Sequence, residues 1–200
     1  MSLPRFPCAE LRIPHNFFAQ MTTDNTSAAP LANPFSSQDV LQILRERRWL
    51  ESDPSREQTA WCKRAAALLG SHAADHAALA DLLSLVFLYD ARATLTTVEA
   101  HVILSRHAAR DVLRRLAILL LAGGPLTPDR FQEIVADLKE KLGVRGRELF
   151  HPLRLALAGR SGEGELDRVI LLLDDAAVAN FTRPVKAPRA RIIEFCAALD

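Results

Sequence analysis

The residues best suited to chemistry are arginines, concentrated between Gly143 and Asp167. Arg154 lies in a stretch where leucines recur at helical spacing, so it is predicted on a helix. A guanidinium there can bind a phosphate with two hydrogen bonds or stack on a nucleic-acid base. An ion pair with an acid such as Asp137 or Glu140 is the structural alternative. Arg154 is therefore the first candidate for RNA binding.

A glycine-rich loop follows this helix, and its exposed backbone is suited to docking single-stranded nucleotides. Three of its residues are acidic, and acids repel phosphates although they accept hydrogen bonds from base amino groups. This composition favours a plain acidic turn over base recognition. The loop lacks the Lys-Ser/Thr of a P-loop and follows no strand, so a phosphate cradle is not indicated. Candidate RNA contacts in and beside the loop are Arg160, Glu163, Gly164, Leu166 and Asp167.

Two further groups of basic residues could follow an RNA backbone. Arg106, Arg110 and Arg114 recur every four residues, which places them on one face of a predicted helix. Such a stripe can serve as a phosphate track, and a solvated face is the commoner interpretation. Of these residues, Arg106 and Arg110 are retained as candidate RNA contacts. The second predicted basic patch comprises Arg183, Lys186, Arg189 and Arg191.

Metal, cofactor and catalytic signals are weak. His72 and His76 have the i, i+4 spacing of metal ligands, but no third ligand or HExxH frame accompanies them. The three cysteines are far apart and form no CxxC pair. No bound metal or cofactor is expected. The 25 basic and 24 acidic residues give a net charge of +1, so any nucleic-acid surface must come from local clustering.

Residues 143–159 also resemble a known family. They read Gly-Val-Arg-Gly-Arg-Glu-Leu-Phe-His-Pro-Leu-Arg-Leu-Ala-Leu-Ala-Gly, which is similar to a signature near the end of bacterial glutamyl-tRNA synthetases, in their helical anticodon-binding region. A weaker resemblance extends from about Val40, through Phe87-Leu-Tyr-Asp90, to Ile170-Leu-Leu-Leu-Asp174. Three positions depart from the family pattern: Ala158 replaces a threonine, Gly164 a proline, and Asp167 an apolar or aromatic residue.

The resemblance implies an all-α helical bundle like the anticodon-binding region of class I glutamyl-tRNA synthetases. It also implies that Arg154 and the following loop face the anticodon, and that the partner is tRNA, of the glutamate or glutamine isoacceptors. The family's His-Ile-Gly-His-like and Lys-Met-Ser-Lys-Ser-like motifs do not occur in these 200 residues, so a non-catalytic tRNA-binding protein is expected. Two alternatives remain open: a protein-interaction module on the same fold, and an accessory subunit of a separately encoded synthetase catalytic chain.

The elements that position these residues are predicted from composition and periodicity. Leu and Ala dominate and aromatics make up only 6%, which favours helices, and we expect eight or nine. Residues 1–35, rich in proline and polar residues, are predicted to be a flexible tail in which Phe17 and Phe18 could dock on the core. Residues 36–200 are predicted to form the helical domain, with a possible split near 91–94.

Specific boundaries follow from capping signals. Ser36 or Ser37 is predicted to cap the first helix, Thr127-Pro128 to start another, and Pro152 to lie near the start of the helix that carries Arg154. Residues 94–122 are predicted to form one long helix, bent or broken near its middle. The longest apolar run, Leu116–Ala122, is far short of the roughly 20 residues of a membrane helix. We expect a cytoplasmic protein without membrane contact.

Overall fold

The computed structural model describes residues 33–199 of the chain. All regular structure in this range is helical and no strand occurs within it, which confirms the all-α prediction. None of the described helices is long and apolar enough to cross a membrane. The helices are α1 (Ser37–Glu46), α2 (Arg56–Leu69), a 3-10 turn (Gly70–His72), α3 (His76–Phe87), α4 (Ala91–Leu95), α5 (Val98–Leu104), α6 (Ala109–Ala122), α7 (Pro128–Leu142), α8 (Arg147–Ala158), α9 (Glu165–Ile170), α10 (Leu173–Val178) and α11 (Pro188–Leu199).

The described residues contain more helices than predicted because the pattern of residues 94–122 is cut into pieces. Thr97 caps α5 by accepting a hydrogen bond from the backbone N–H of Ala100 at 3.2 Å, and a turn over residues 105–108 separates α5 from α6. Arg106 lies in that turn. The prediction that Arg106 shares one helix face with Arg110 and Arg114 is therefore wrong, because the helix is interrupted between them.

The predicted capping signals at Ser36 and Thr127 are confirmed. The backbone N–H of Ser36 donates to a carboxylate oxygen of Asp39 at 2.7 Å, and the Ser36 side chain accepts in return from the first turn of α1, a reciprocal arrangement that satisfies two otherwise unpaired donors. Thr127 caps α7 and Pro128 is its first residue. At the other end Gly143, with φ +67°, adopts the left-handed conformation that commonly ends a helix.

Helix α8 begins five residues before Pro152, so the prediction that this proline lies near the helix start is wrong. It is the sixth residue of the helix, and the carbonyl of Glu148 lacks the usual in-helix donor there because proline has no N–H. The helix ends at Gly159, whose φ of +80° is left-handed and whose N–H donates to the carbonyl of Leu155 at 3.1 Å. A Cβ at Gly159 would lie 3.3 Å from Oγ1 of Thr94.

Residues 1–32, which hold most of the predicted tail together with Phe17 and Phe18, lie outside the described residues. The few tail residues that are described contact the helical core: Nδ2 of Asn33 donates to the carbonyl of Ala66 at 2.8 Å, and Phe35 is partly buried against it. The possible subdomain split near 91–94 coincides with α4 and stays a prediction.

Four aromatic rings form the centre of the core on the side of α1, α2 and α3. Trp49 stacks on Phe87 with ring centroids 4.5 Å apart, and Trp61 and Phe181 meet Phe87 edge to face at 5.8 and 5.3 Å. Such pairs add about 0.5–1.5 kcal/mol each beyond the area that they bury. Because Phe181 comes from the far end of the chain, this cluster joins the first described helices to the last ones.

Arg191 is fully buried and donates only to backbone carbonyls. It lies on α11, and its guanidinium is 4.5 Å from the Tyr89 ring centroid. Burial lowers the pKa of Arg191 to about 10, so the side chain is still charged at neutral pH. The prediction of a surface patch that includes Arg191 is wrong. The accepting carbonyls belong to Leu85 at 3.0 Å, Val86 at 2.5 Å, Leu157 at 2.7 Å and Lys186 at 2.9 Å.

Candidate nucleic-acid interface

Arg154 is buried within an ion pair, with only 8% of its surface exposed. Its Nε and Nη2 donate to the two carboxylate oxygens of Asp167 at 2.7 and 2.8 Å, and Nη1 donates to the carbonyl of Gly162 at 2.7 Å. This geometry corresponds to the ion-pair alternative, with Asp167 in place of the acids considered for it. Asp137 pairs with Arg115 instead, at 2.7 Å. Arg154 thus ties the loop after α8 to the start of α9.

The same loop is held at two further points. Arg160 forms a two-pronged ion pair with Asp81 of α3, at 2.6 and 3.1 Å, and the hydroxyl of Ser161 donates to Glu99 of α5. The hydrogen bonds from Arg160 are the main cause of the lowered pKa of Asp81. Both arginines predicted to contact RNA at this loop are therefore already bonded to carboxylates.

The remaining loop candidates differ in accessibility. Leu166 is 3% exposed and packs in the core, so it does not present a surface to bases. Glu163 and Gly164 are exposed. The backbone N–H of Glu163 donates to the carboxylate of Glu165 at 3.1 Å, which turns this acid toward the backbone of the loop. Gly164 and Asp167 line a cavity on the side of α7.

This cavity, about 510 Å³ in volume, lies between α7, α8 and α9, and we call it the α7–α8 groove. An adjoining hollow of about 540 Å³ shares Ala136, Lys139 and Phe150 with it. The lining combines apolar side chains, which we call the floor, with cations, and it also includes the acids Asp167 and, in the adjoining hollow, Glu140. The floor residues are Phe131, Val135, Phe150 and Leu171, and the basic residues are Lys139, Arg168 and, in the adjoining hollow, Arg145.

Phe150 is the aromatic side chain of this groove that is only partly buried. The Arg154 guanidinium lies 4.8 Å from its ring centroid and the Lys139 ammonium 5.9 Å. Within residues 33–199, no carboxylate lies within ion-pair distance of Lys139, Arg145 or Arg168. The groove therefore combines an accessible ring with three cations that remain available to an anionic ligand.

The charges of Arg106 and Arg147 act on His151 of α8, and we call these three residues the His151 cluster. Burial is the main cause of the lowered pKa of His151, followed by the charges of Arg106, Arg147 and Arg154, with Glu99 acting in the opposite direction. The turn between α5 and α6 thus brings Arg106 close to α8. The predicted stripe is not formed, because the helix is interrupted between Arg106 and Arg110, and Arg114 pairs with Asp111. Arg110 is exposed on α6.

The second predicted basic patch is only partly at the surface. Arg183 donates to the carbonyl of Phe87 at 2.9 Å, and Lys186 pairs with Glu194 at 2.6 Å. Arg189 donates to the carbonyl of Leu121. Arg183, Lys186 and Arg189 keep an exposed portion, whereas Arg191 is buried as described above.

The predicted histidine pair does not share a helix. His72 ends the 3-10 turn and His76 begins α3, with Asp75 between them as the α3 cap. Among the described residues, no three His, Cys, Asp or Glu side chains lie close enough together to hold a metal ion.

Sequence reasoning missed Lys139, Phe150, Arg168 and His151 as parts of the site. Lys139 and Arg168 lie on different helices almost thirty residues apart, so no spacing rule joins them. A signal did exist for the Arg154–Asp167 pair, because Asp167 replaces an apolar residue of the family pattern near that arginine. A buried arginine and an unexpected acid in neighbouring elements are a natural pair.

Comparison with known proteins places the sequence in a family. Residues 27–179 match the anticodon binding domain family. Glutamate–tRNA ligase 2 of Syntrophus aciditrophicus is 28% identical over 139 residues, which are 68% of this chain and 28% of the relative. Glutamate–tRNA ligase 1 of Caldanaerobacter subterraneus is 35% identical over 77 residues, 38% of this chain and 16% of the relative.

A shorter match has a higher sequence identity. Glutamate–tRNA ligase 2 of Coxiella burnetii (strain RSA 493) is 43% identical over 47 residues, 24% of this chain and 10% of the relative. The chain thus spans between 10 and 28% of the length of these relatives. No solved structure matches it significantly. With the all-helical fold and a family match over most of its length, the chain belongs to the anticodon binding domain family related to glutamate–tRNA ligases.

Proposed function

We propose that this chain binds tRNA without catalysing a reaction, and that the α7–α8 groove and the His151 cluster receive it. Family membership supports tRNA as the ligand class. The relatives are glutamate–tRNA ligases, which makes glutamate or glutamine isoacceptors the first tRNAs to examine. A cytoplasmic location follows from that partner.

The observation that carries this proposal is the half-buried ring of Phe150 beside three cations without carboxylate partners in the described part of the chain. Sequence-tolerant binding of single-stranded RNA combines aromatic stacking with phosphate neutralisation by Lys and Arg. Lys139, Arg145 and Arg168 are placed to supply the charges, and Phe150 the ring. The apolar floor excludes water from the stacked face.

Arg154 has a different role in this proposal from the one predicted from the sequence. Its donors are directed at Asp167 and Gly162, so it acts as a positioning residue that holds the loop beside the groove. It also lies against the Phe150 ring. Replacing it would therefore weaken tRNA binding through the loop and the ring, not through a lost phosphate contact.

Two features of the chain support the proposed absence of catalysis. Neither synthetase signature motif occurs in the sequence. The described helices offer no parallel sheet, whose strand ends form the nucleotide site of doubly wound folds. Purified protein should show no ATP–pyrophosphate exchange with glutamate, with or without tRNA, and exchange that survives further purification would contradict the proposal.

The binding test compares two double variants. Lys139→Gln with Arg168→Gln removes two cations of the groove, and Lys63→Gln with Arg56→Gln removes two exposed cations of α2 that line no part of it. Gel shift with total tRNA at two salt concentrations should show a loss of about 1–3 kcal/mol in the groove variant and little change in the control. Sequencing of the retained RNA identifies the isoacceptor.

A second candidate function is a protein-interaction module on the same fold, including an accessory subunit of a separately encoded synthetase catalytic chain. The pairing of Arg154 with Asp167 and of Arg160 with Asp81 favours it, because both arginines are neutralised. Absence of tRNA binding at low salt, where electrostatic affinity is strongest, would select this candidate. Copurification with a catalytic chain would then separate its two forms.

A further inference from the structure

A larger cleft, about 680 Å³ in volume, opens on another part of the molecule. It lies between the turn that follows α1, the end of α3 and the segment that precedes α11, and we call it the Arg47–Arg183 cleft. No residue of the α7–α8 groove lines it. The residues that carry its charge are Arg47, Arg48, Arg183, Lys186, Arg191 and Asp90.

Positive charge dominates the Arg47–Arg183 cleft. No carboxylate within residues 33–199 lies within ion-pair distance of Arg47 or Arg48, and both side chains are exposed. The charge of Arg47 contributes to the lowered pKa of Asp81, whose carboxylate is bonded to Arg160. The turn after α1 thus contributes two cations that remain available.

The segment before α11 contributes cations to the cleft that are partly engaged. Nε of Arg183 donates to the carbonyl of Phe87 at 2.9 Å, which leaves its two Nη groups without a described partner. Lys186 pairs with Glu194, and the carboxylate of Asp90 accepts from the N–H of Ala93 as the α4 cap. The cleft therefore keeps a net positive charge after these pairs are counted.

Backbone contacts hold the turn after α1 in place. Arg48 adopts φ +58°, a left-handed conformation that is uncommon for residues other than glycine or asparagine. It is stabilised on its C-terminal side, where the N–H of Trp49 donates to the carbonyl of Leu44 at 2.8 Å and the carbonyl of Trp49 accepts from Thr182 at 3.0 Å. Strain of this kind persists only where the surroundings enforce it, and it gathers at functional sites.

The cleft offers charge without a stacking surface. Its aromatic residues are buried: Trp49 is 4% exposed, Phe87 3% and Tyr89 8%. A base would find no accessible ring there, whereas a phosphate would find guanidinium groups from two segments of the chain. The ligand chemistry that fits is therefore a phosphodiester backbone, bound without regard to sequence.

We propose that the Arg47–Arg183 cleft binds backbone phosphates of RNA, as a second contact separate from the α7–α8 groove. The proposal rests on the proposed tRNA-binding function and extends it. The groove would contact unstacked bases, and the cleft would fix the position of the duplex or the adjoining strand. Neutralising phosphates releases counterions, so this contact should appear mainly in the salt dependence of binding.

The test uses a double variant in the cleft and the α2 control. Arg47→Gln with Arg48→Asn removes both charges, and asparagine tolerates the left-handed conformation at residue 48. The control is again Lys63→Gln with Arg56→Gln. Binding of total tRNA and of a single-stranded homopolymer is measured across a series of salt concentrations, with thermal melting of each protein to confirm that it is folded.

The cleft variant should bind both RNAs about tenfold more weakly at low salt, and its salt slope should fall by about 1 to 2 relative to wild type. Equal affinity and slope for the cleft and control variants, with wild type binding tRNA, would overturn the cleft assignment alone. Absence of wild-type RNA binding at low salt would overturn the proposed function. If tripolyphosphate then raises the melting temperature of the wild-type protein, the cleft would be assigned to a small phosphorylated ligand. That result would overturn the RNA assignment.

The segment before α11 supplies an independent check. Arg183→Gln should weaken RNA binding in the same direction, and its effect should be less than additive with the Arg47→Gln and Arg48→Asn changes if both segments contact the same phosphates. Full additivity would show that the two segments act on separate ligand groups and would overturn the assignment of a single phosphate site.

Discussion

Two arginines are buried among residues 33–199, and their surroundings differ in kind. Arg154 meets a carboxylate, with both oxygens of Asp167 accepting its hydrogen bonds, and one carbonyl. Arg191 meets no carboxylate in the described part of the chain and instead donates to four backbone carbonyls. Each guanidinium also lies against an aromatic ring, Phe150 for Arg154 and Tyr89 for Arg191.

The difference reflects what each arginine joins. Arg154 joins one loop to the helix after it, over 13 residues of sequence, so a single acid is sufficient. Arg191 joins the C-terminal ends of α3 and α8, where carbonyls lack in-helix partners and carry partial negative charge. A cation at helix C-termini needs no carboxylate. Arg154 and Asp167 can therefore be replaced together, whereas Arg191 has no hydrogen-bonded side-chain partner within residues 33–199 that could be replaced with it.

The largest effect is expected at the Arg191 region. Arg191→Met should lower the free energy of unfolding by at least about 3 kcal/mol, because several buried carbonyls lose their donor at once. Arg191→Lys should also be strongly destabilised, since one compact ammonium cannot reach carbonyls on three segments. Urea unfolding followed by circular dichroism measures both. A loss below about 1 kcal/mol for Arg191→Met would mean that water replaces the guanidinium.

The next effect is expected at Arg154. Asp167→Asn should cost about 2–3 kcal/mol, somewhat less than breaking a fully buried pair, because the Asp167 side chain is 20% exposed. The double change Arg154→Met with Asp167→Leu should recover much of that loss, since well-packed apolar residues often replace a buried pair at little cost. If the double variant is no more stable than Asp167→Asn, the Arg154–Asp167 pair cannot be replaced by apolar residues. The expected difference from Arg191 would then be absent.

A smaller effect is expected at the exposed pair in the same loop. The Arg160 and Asp81 side chains are 50% and 53% exposed, so Asp81→Asn should cost about 0.2–1 kcal/mol. Added salt should reduce the difference further. Thermal melting at low and high salt measures it. A loss as large as that of Asp167→Asn would mean that the tie between the loop and α3 matters more than burial.

The smallest effect is expected from the pH dependence of stability, which involves His151 near Arg154. The pKa of His151 is lowered from its usual 6.5 by burial and by Arg106, Arg147 and Arg154. The unfolded chain therefore takes up this proton first as pH falls, and stability is lost below pH 6.5 until the folded-state pKa is passed. His151→Gln should flatten this dependence. Urea unfolding from pH 7.5 to 5 is the measurement, and an unchanged profile in the variant would assign the dependence elsewhere.

RNA binding should reverse the direction of this proton linkage. Phosphates beside His151 would favour its charged form, so tRNA affinity should rise as pH falls through the His151 titration. The His151→Gln variant should lose that rise while retaining the salt dependence. Equal pH profiles for the two proteins would place the RNA away from the His151 cluster.

Local signals in the sequence predicted the helix boundaries well. Ser36 and Thr127 cap helices where their side chains can reach the first turn, because capping depends on residues only a few positions away. The turn over residues 105–108 was harder to place, since neither proline nor glycine marks it. Pro152 was misplaced because tertiary packing tolerates it inside α8.

The candidate site was predicted less well because its contacts join distant residues. Arg160 pairs with Asp81 across 79 positions, and the carbonyls that hold Arg191 include those of Leu85 and Val86, more than 100 positions away. Spacing rules identify residues on one face of one helix. They do not show which arginines are already paired, and that pairing decides which cations remain for a ligand.

The hydrogen bonds that hold the turn after α1 also bear on how the chain folds during synthesis. Glu51 donates to the hydroxyl of Thr182 across 131 positions, and Gln58 donates to the carbonyl of Asn180 across 122. A ribosome adding about 5–20 residues per second must extend the chain by that length before these contacts can form. Contacts of such high sequence separation slow folding. Trp49 and Trp61 can contact Phe87 of α3 early. The contact of Trp61 with Phe181 and the hydrogen bond from Thr182 to the Trp49 carbonyl form only after the last third of the domain has emerged.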